Sequence, residues 1–220
     1  MQPTRRPRLK ICCIASLDEA WTAIGHGASA LGLVSAMPSG PGVIPDQDIA
    51  AIAARVPPPV ATFLLTSLQD AGEIVAQQRR LRTTTVQICD RLPPGAHRLI
   101  RDALPGIGLV QVVHVTGPQS VVEAREVAPF VDALLLDSGN QSLSVKELGG
   151  TGRRHDWELS RIVREAVDVP VFLAGGLRAE NVADAVRDVG PFGLDLCTGV
   201  RTNGALDESK LAAFVEAATA

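Results

Sequence analysis

The chain has 220 residues, 46% of them hydrophobic and 3% aromatic, with a formal net charge of -3 at pH 7. This length suits one sizeable core, so a single domain over residues 1–220 is expected, and the mildly acidic balance offers no basic field for nucleic acid or an anionic membrane surface. The basic residues Arg5, Arg6, Arg8 and Lys10 are not followed by the apolar segment of a secretory signal, and no apolar run reaches membrane-spanning length, so a cytoplasmic protein without nucleic-acid or membrane partners is expected.

Residues 1–8 read as a solvated, flexible tail. Leu9–Ile14 is the first of eight β-rich runs, and Ser16 then caps a helix whose first turn carries Asp18 and Glu19. Leu17, Ala20, Trp21 and Ile24 recur at helical spacing in that segment, with Trp21 expected to pack inward. Ala30–Val34 is the second run; Pro45-Asp46 opens a helix carrying Ile49, Ile52, Ala53 and Val56, which stops at Pro57 to Pro59. The third to sixth runs are Val60–Leu65, Thr84–Ile88, Gly108–His114 and Ala133–Asp137, with helical periodicity at Val121, Val122, Ala124 and Val127 before the sixth. Asp156 caps a helix anchored by Trp157, Val169–Ala174 is the seventh run, and a helix starting near Ala179 ends at Gly190-Pro191. Phe192–Leu196 is the eighth, followed by a last helix with Leu211, Phe214 and Val215.

Strand and helix alternating eight times, without a composition break, predict an α/β fold closed into a parallel (βα)8 TIM barrel. An open doubly wound sheet is the alternative, since periodicity does not show closure; no G-x-G-x-x-G follows the first strand, where Cys12-Cys13-Ile14-Ala15 stands. In a barrel the reacting groups come from the C-terminal strand ends, here Cys12, Ser35, Thr66, Cys89, His114, Asp137, Gly175-Gly176 and Cys197-Thr198-Gly199. Asp137 ends an uninterrupted apolar run as a lone carboxylate, and Cys12 is the partner with which it could transfer protons. Gly175, Gly176, Thr198 and Gly199 follow the last two strands, where barrels commonly bind phosphate on backbone N–H groups. The four cysteines fit neither a disulfide framework nor a C-x-x-C metal site, so reduced thiols and no metal are expected.

Five segments in order carry a specific resemblance: Lys10-Ile11-Cys12, Leu136-Asp137-Ser138, Gly149-Gly150-Thr151-Gly152 with Asp156-Trp157, Leu173 to Leu177 with Glu180-Asn181-Val182, and Asp195 with Thr198-Gly199-Val200. Together they resemble the phosphoribosylanthranilate isomerases of tryptophan biosynthesis over nearly the whole chain. The resemblance implies an Amadori rearrangement of a phosphorylated aminosugar without metal or organic cofactor, with Asp137 as general acid on the ring oxygen and Cys12 taking the proton from the adjacent carbon. It also implies substrate contacts from Lys10, Gln87, Cys89, Asp195 and Arg201, and a protein that is monomeric or a homodimer, as family members are.

Departures from the family pattern fall in the loops. Cys13 stands where the family has glycine, Cys89 where it has histidine, and Arg201 where it has glutamate. The family's second-loop Ser-Pro-Arg, whose arginine is expected to hold the anthranilate carboxylate, is replaced by Pro38-Ser39-Gly40-Pro41-Gly42-Val43, and no Lys or Arg occurs between Ile11 and Ala54. Either Arg201 or Arg178 supplies the missing cation, or the pocket takes a different or uncharged group; a non-catalytic sugar-phosphate-binding barrel is a third reading.

Overall fold

A computed structural model describes residues 6–219; the part of the expected tail at residues 1–5, including Arg5, lies outside them. Eight parallel strands close into a barrel: β1 (Arg8–Ile11), β2 (Ala30–Val34), β3 (Ala61–Thr66), β4 (Thr85–Ile88), β5 (Gly108–His114), β6 (Ala133–Asp137), β7 (Val171–Leu173) and β8 (Gly193–Leu196). Closure comes from β1 pairing with both β2 and β8, which sets Lys10 opposite Ala30 on one side and Asp195 on the other. The open sheet is thereby excluded.

The helices are α1 (Leu17–Gly25), α2 (Asp46–Ala53), α3 (Ala71–Leu81), α4 (Ala96–Ala103), α5 (Gln119–Val127), α6 (Trp157–Ala166), α7 (Val182–Val189) and α8 (Glu208–Thr219). Local caps start several of them: Ser16 accepts from Glu19 N at 3.1 Å, Asp70 from Glu73 N at 2.9 Å and Asp156 from Glu158 N at 2.9 Å.

Because side chains alternate along a strand, each contributes to two cores. Ile11, Leu31, Leu33, Leu64, Leu134 and Leu136 point outward under the helices, whereas Phe63, Val110, Val112, Leu135 and Phe172 fill the barrel. Phe172 packs edge-on against Phe63 at 6.0 Å between ring centroids. With the lower barrel filled this way, free space remains at the C-terminal mouth.

The structure corrects several sequence expectations. Arg8 is not tail: it opens β1 and donates its backbone N–H to Phe192 O at 2.9 Å. The first strand stops at Ile11 rather than Ile14, since Cys13 turns the chain with φ +64°. Helix α7 starts at Val182, not near Ala179; Asn181 holds the preceding turn by accepting from Arg178 N at 2.9 Å and donating to Gly176 O at 3.0 Å. Trp21 is 49% exposed rather than packed inward, whereas Trp157 is buried as expected. A short hairpin, β9 (Arg201–Thr202) with β10 (Ala205–Leu206), follows the barrel. Its turn, Asn203-Gly204 with φ +52° and +84°, carries a recognisable hairpin signal.

Candidate active site

The mouth of the barrel holds a cavity enclosing about 690 Å³, its opening included, and lined from β1 to β8. Cys12 and Asp137 both line it, and so do Gln87, Cys89, Asp195, Gly175, Gly176, Thr198 and Gly199. Lys10 and Arg201, also expected at the substrate, are not part of the lining.

Lys10 is fully buried beneath Cys12, its ammonium 2.7 Å from Asp195 Oδ1 and 5.3 Å from the centre of the Phe63 ring. Burial opposes the ammonium, but Asp195 and Cys12 outweigh it and raise the Lys10 pKa, so the residue stays charged. That charge lies against the thiol. A Cβ placed on Gly32 of β2 would come within 2.8 Å of Cys12 Sγ and 3.1 Å of Lys10 Nζ. Gly32 is therefore the vacancy into which thiol and ammonium fit, a role signalled in sequence only by a glycine inside an apolar strand.

The Cys12 thiol is shifted downward, first by a hydrogen bond from the Cys13 thiol and then, against burial, by Lys10 and the Cys13 backbone N–H. Cys13 moves the opposite way, raised by the Cys12 and Cys197 thiols beside it and by burial, so it persists as the thiol of the pair. The residue at the family's glycine position thus adopts left-handed φ and places a second thiol beside Cys12. Loop space matches it. A Cβ on Gly42 would overlap Cys13 Cβ and approach Cys13 Sγ to 2.8 Å, and Cys13 Sγ reaches Pro41 O at 3.6 Å.

Across the mouth, Asp137 at the end of β6 is 7% exposed. Its Oδ1 accepts from Ser138 N at 2.7 Å, while Oδ2 faces the loop between β6 and α6, where a Cβ on Gly149 would lie 2.7 Å away. Gly149 has φ +135°, so both conformation and space require glycine. This loop roofs the cavity: Thr151 Oγ1 meets Ser138 Oγ at 2.6 Å, Lys146 O accepts from Ser39 Oγ at 2.6 Å, and Gly150 sits against Pro41. Further along it, burial pushes the His155 imidazole down to about 4 despite nearby Asp137 and Asp156, leaving it neutral at pH 7. Its Nε2 meets Ser160 Oγ at 2.7 Å; that hydroxyl donates to Asp156 O at 3.2 Å, so Nε2 carries the proton.

The β7 and β8 ends form a backbone cradle. Gly175 and Gly176 have φ +82° and +65°, and their N–H groups have no partner among the described residues. A Cβ on Gly176 would lie 2.8 Å from Arg154 N, and one on Gly199 would overlap Leu177 O, so the two turns and the roofing loop pack backbone to backbone. Free N–H groups between glycine turns suit an anion.

The β2 to β4 side differs. Val34, Met37, Leu65, Cys89 and Leu148 make it largely apolar. Burial drives the Cys89 thiol upward, so it stays protonated, and its sulfur lies 3.8 Å from both Gln87 O and Gln87 Nε2. His114 lies outside this cavity; its Nε2 meets Cys89 O at 3.0 Å. Arg201, a possible replacement for the missing cation, is committed elsewhere. Its guanidinium holds Glu19 at 3.0 Å, Cys13 O at 2.5 Å, Cys12 O at 3.3 Å and Gly204 O at 2.7 Å, clamping the turn after β1 from behind. Arg178 is exposed and also absent from the lining.

This geometry has known counterparts. The profile of the family described as N-(5'phosphoribosyl)anthranilate (PRA) isomerase matches residues 9–217. N-(5'-phosphoribosyl)anthranilate isomerase 2 of Methanosarcina mazei is 35% identical over 213 residues, covering 96% of this chain and 93% of the relative. The Haloferax volcanii isomerase is also 35% identical over 213 residues, covering 96% and 92%. Among solved structures, phosphoribosyl anthranilate isomerase from Thermotoga maritima superposes with TM-score 0.82 at 27% identity, covering 96% of this chain and 98% of that one. Another, in complex with reduced 1-(o-carboxyphenylamino)-1-deoxyribulose 5-phosphate, gives TM-score 0.80 at 26% identity, with the same coverage. The chain belongs to the N-(5'-phosphoribosyl)anthranilate isomerase family.

Proposed function

We propose that this chain catalyses the Amadori rearrangement of an N-substituted 5-phosphoribosylamine, as the isomerases of tryptophan biosynthesis do with the anthranilate compound, and that Asp137 and Cys12 are its acid and base. The observation that carries this reading is the placement of a buried carboxyl and a thiol with lowered pKa in one cavity beside a backbone anion cradle. As general acid, Asp137 gives a proton to the furanose oxygen; the C1–O bond breaks and C1 becomes a Schiff base with the substituent nitrogen. Cys12 thiolate then removes the C2 proton, and the C–H electron pair moves to form the C1–C2 double bond of an enolamine, neutralising the nitrogen. Return of a proton to C1 as the C2 hydroxyl becomes a ketone completes the isomerisation.

Lys10 acts through Cys12 as a positioning residue, together with Asp195, while Gly175, Gly176, Thr198 and Gly199 hold the phosphate. Gln87 and Cys89 meet the nitrogen substituent. A cytoplasmic setting suits four free thiols, and no described helix is long and apolar enough to cross a membrane. Asp137→Asn and Cys12→Ser should each lower kcat by about 10²-fold or more while leaving affinity for a product analogue within threefold. Complementation of a tryptophan auxotroph lacking this isomerase tests the activity in a cell; wild-type turnover of no phosphoribosylamine would refute the assignment.

A further inference from the structure

All four cysteines of the chain are free thiols that line the same cavity, and three of them gather at the ends of β1 and β8. The ladder between these strands continues past them, Cys12 N–H donating to Leu196 O at 2.7 Å, so Cys197 leaves β8 next to Cys12. Cys13, turned by its φ of +64°, lies beside the thiols of both Cys12 and Cys197. Cys12 shares the hollow over Gly32 with the Lys10 ammonium, which favours its thiolate, and Cys197 is half-buried at the mouth. Cys89 follows β4, three strands away around the barrel.

A thiolate in an open cavity is the form that reacts with hydroperoxides, and without a neighbouring thiol its oxidation runs on to the irreversible sulfinic acid. Here a second and a third thiol stand next in line. We propose that Cys12 is a peroxide-reactive site and that Cys13 and Cys197 resolve it, storing the oxidation as a disulfide between them and returning Cys12 as a thiol. The Cys12 sulfur attacks the outer oxygen of the hydroperoxide; the O–O bond breaks, the leaving oxygen takes a proton from solvent, and Cys12 becomes a sulfenic acid. The Cys13 sulfur attacks that sulfur, the S–O bond breaks, and the hydroxyl departs as water with the Cys13 proton. The new bond joins adjacent residues, whose α-carbons, about 3.8 Å apart, fall short of the about 4.4–6.8 Å that a relaxed disulfide spans. Cys197 relieves it: its sulfur attacks the Cys13 sulfur, the bond between Cys12 and Cys13 breaks, and the Cys197 proton passes to Cys12. Two thiols are thereby oxidised and one hydroperoxide reduced, independently of isomerase turnover.

The test treats the full-length chain with hydrogen peroxide, quenches with acid, blocks free thiols with N-ethylmaleimide in denaturant and maps the peptides by mass spectrometry. The expected product has lost two hydrogens, with Cys13 joined to Cys197 and with Cys12 and Cys89 blocked by the maleimide; dithiothreitol should make all four thiols available again. Cys13→Ala should raise the share of oxidised Cys12 that ends as sulfinic acid by about tenfold, a share that does not depend on how much of Cys12 is thiolate. A disulfide that rests on Cys12 or Cys89 would overturn the proposal. So would sulfinic acid forming at Cys12 as readily in the wild type as in the variant, or four free thiols after a peroxide dose that oxidises free cysteine. The wild-type peptide map decides by itself if Cys13→Ala does not fold.

Discussion

Cys13→Ala removes the thiol beside the proposed base, together with its contact to Pro41 O, which makes it a direct probe of how the Cys12 pKa is lowered. The alanine keeps a Cβ at φ +64°, so the turn after β1 and the contact with Gly42 persist. What disappears is the Cys13 thiol, the first among the influences that lower the Cys12 pKa. A hydrogen bond to an ionised acceptor is worth about 1.5–3 kcal/mol, and a thiol is a weak donor, so about 1.4 kcal/mol is a fair magnitude. That corresponds to about a tenfold change in the proton-binding equilibrium. Lys10 remains in place, so part of the lowering should survive.

Because the base must be deprotonated, activity rises with pH through the Cys12 pKa. The acidic limb of kcat/KM should therefore move to higher pH in the variant. Below that limb the variant should be about tenfold slower; well above it the rates should converge. The rate of Cys12 alkylation by iodoacetamide, read against pH by peptide mass spectrometry, gives the same pKa without turnover. Coincident wild-type and variant alkylation profiles would refute the assignment of Cys13 as the donor.

Gly32→Ala should reduce kcat by about 10²-fold for a destabilisation of about 1–3 kcal/mol, because its Cβ enters the space of Cys12 Sγ and Lys10 Nζ; kinetics with a denaturation midpoint separates the two effects. Lys10→Met should destabilise the fold by about 3–5 kcal/mol by leaving the Asp195 carboxylate buried without its cation. Burial already raises the Asp195 pKa, and a group raised on folding stabilises below its unfolded pKa and loses that stabilisation as pH rises through the folded value. The melting-temperature deficit of Lys10→Met should accordingly grow from pH 5 to pH 8, and a deficit independent of pH would contradict the buried-pair account. Arg201→Met should cost stability, about 3 kcal/mol or more, by stranding Glu19 and the Cys12 and Cys13 carbonyls. Its effect on product-analogue affinity should be small, since the side chain does not line the cavity.

Much of this molecule was legible one residue at a time. Apolar runs of strand length separated by capped, amphipathic helices are local signals, and Ala30–Val34, Gly108–His114 and Ala133–Asp137 have the bounds that periodicity alone gives them. That Cys12 and Asp137 line the mouth was legible too, because a barrel exposes its strand ends. Quantities that depend on who stands opposite whom were not. Lys10 reads as a site residue in sequence, but only closure of β1 onto β8 sets it against Asp195 and out of the cavity. Arg201 reads as a substitute cation, yet the hairpin after β8 turns it behind the first strand, where Glu19 and two backbone carbonyls hold it.

The same is true of glycine and cysteine. Sequence shows that Cys13 has displaced a glycine; the tertiary structure decides that its thiol falls against Cys12 and that Gly32 and Gly42 vacate the room for both thiols. Periodicity and chain chemistry are properties of neighbours along the chain, so the sequence by itself determined the βα alternation and the chemical types at the strand ends. The charge state of Cys12, the commitment of Arg201 and the meeting of Cys13 with Cys197 depend on distances between strands far apart in sequence, and only the closed barrel decides those.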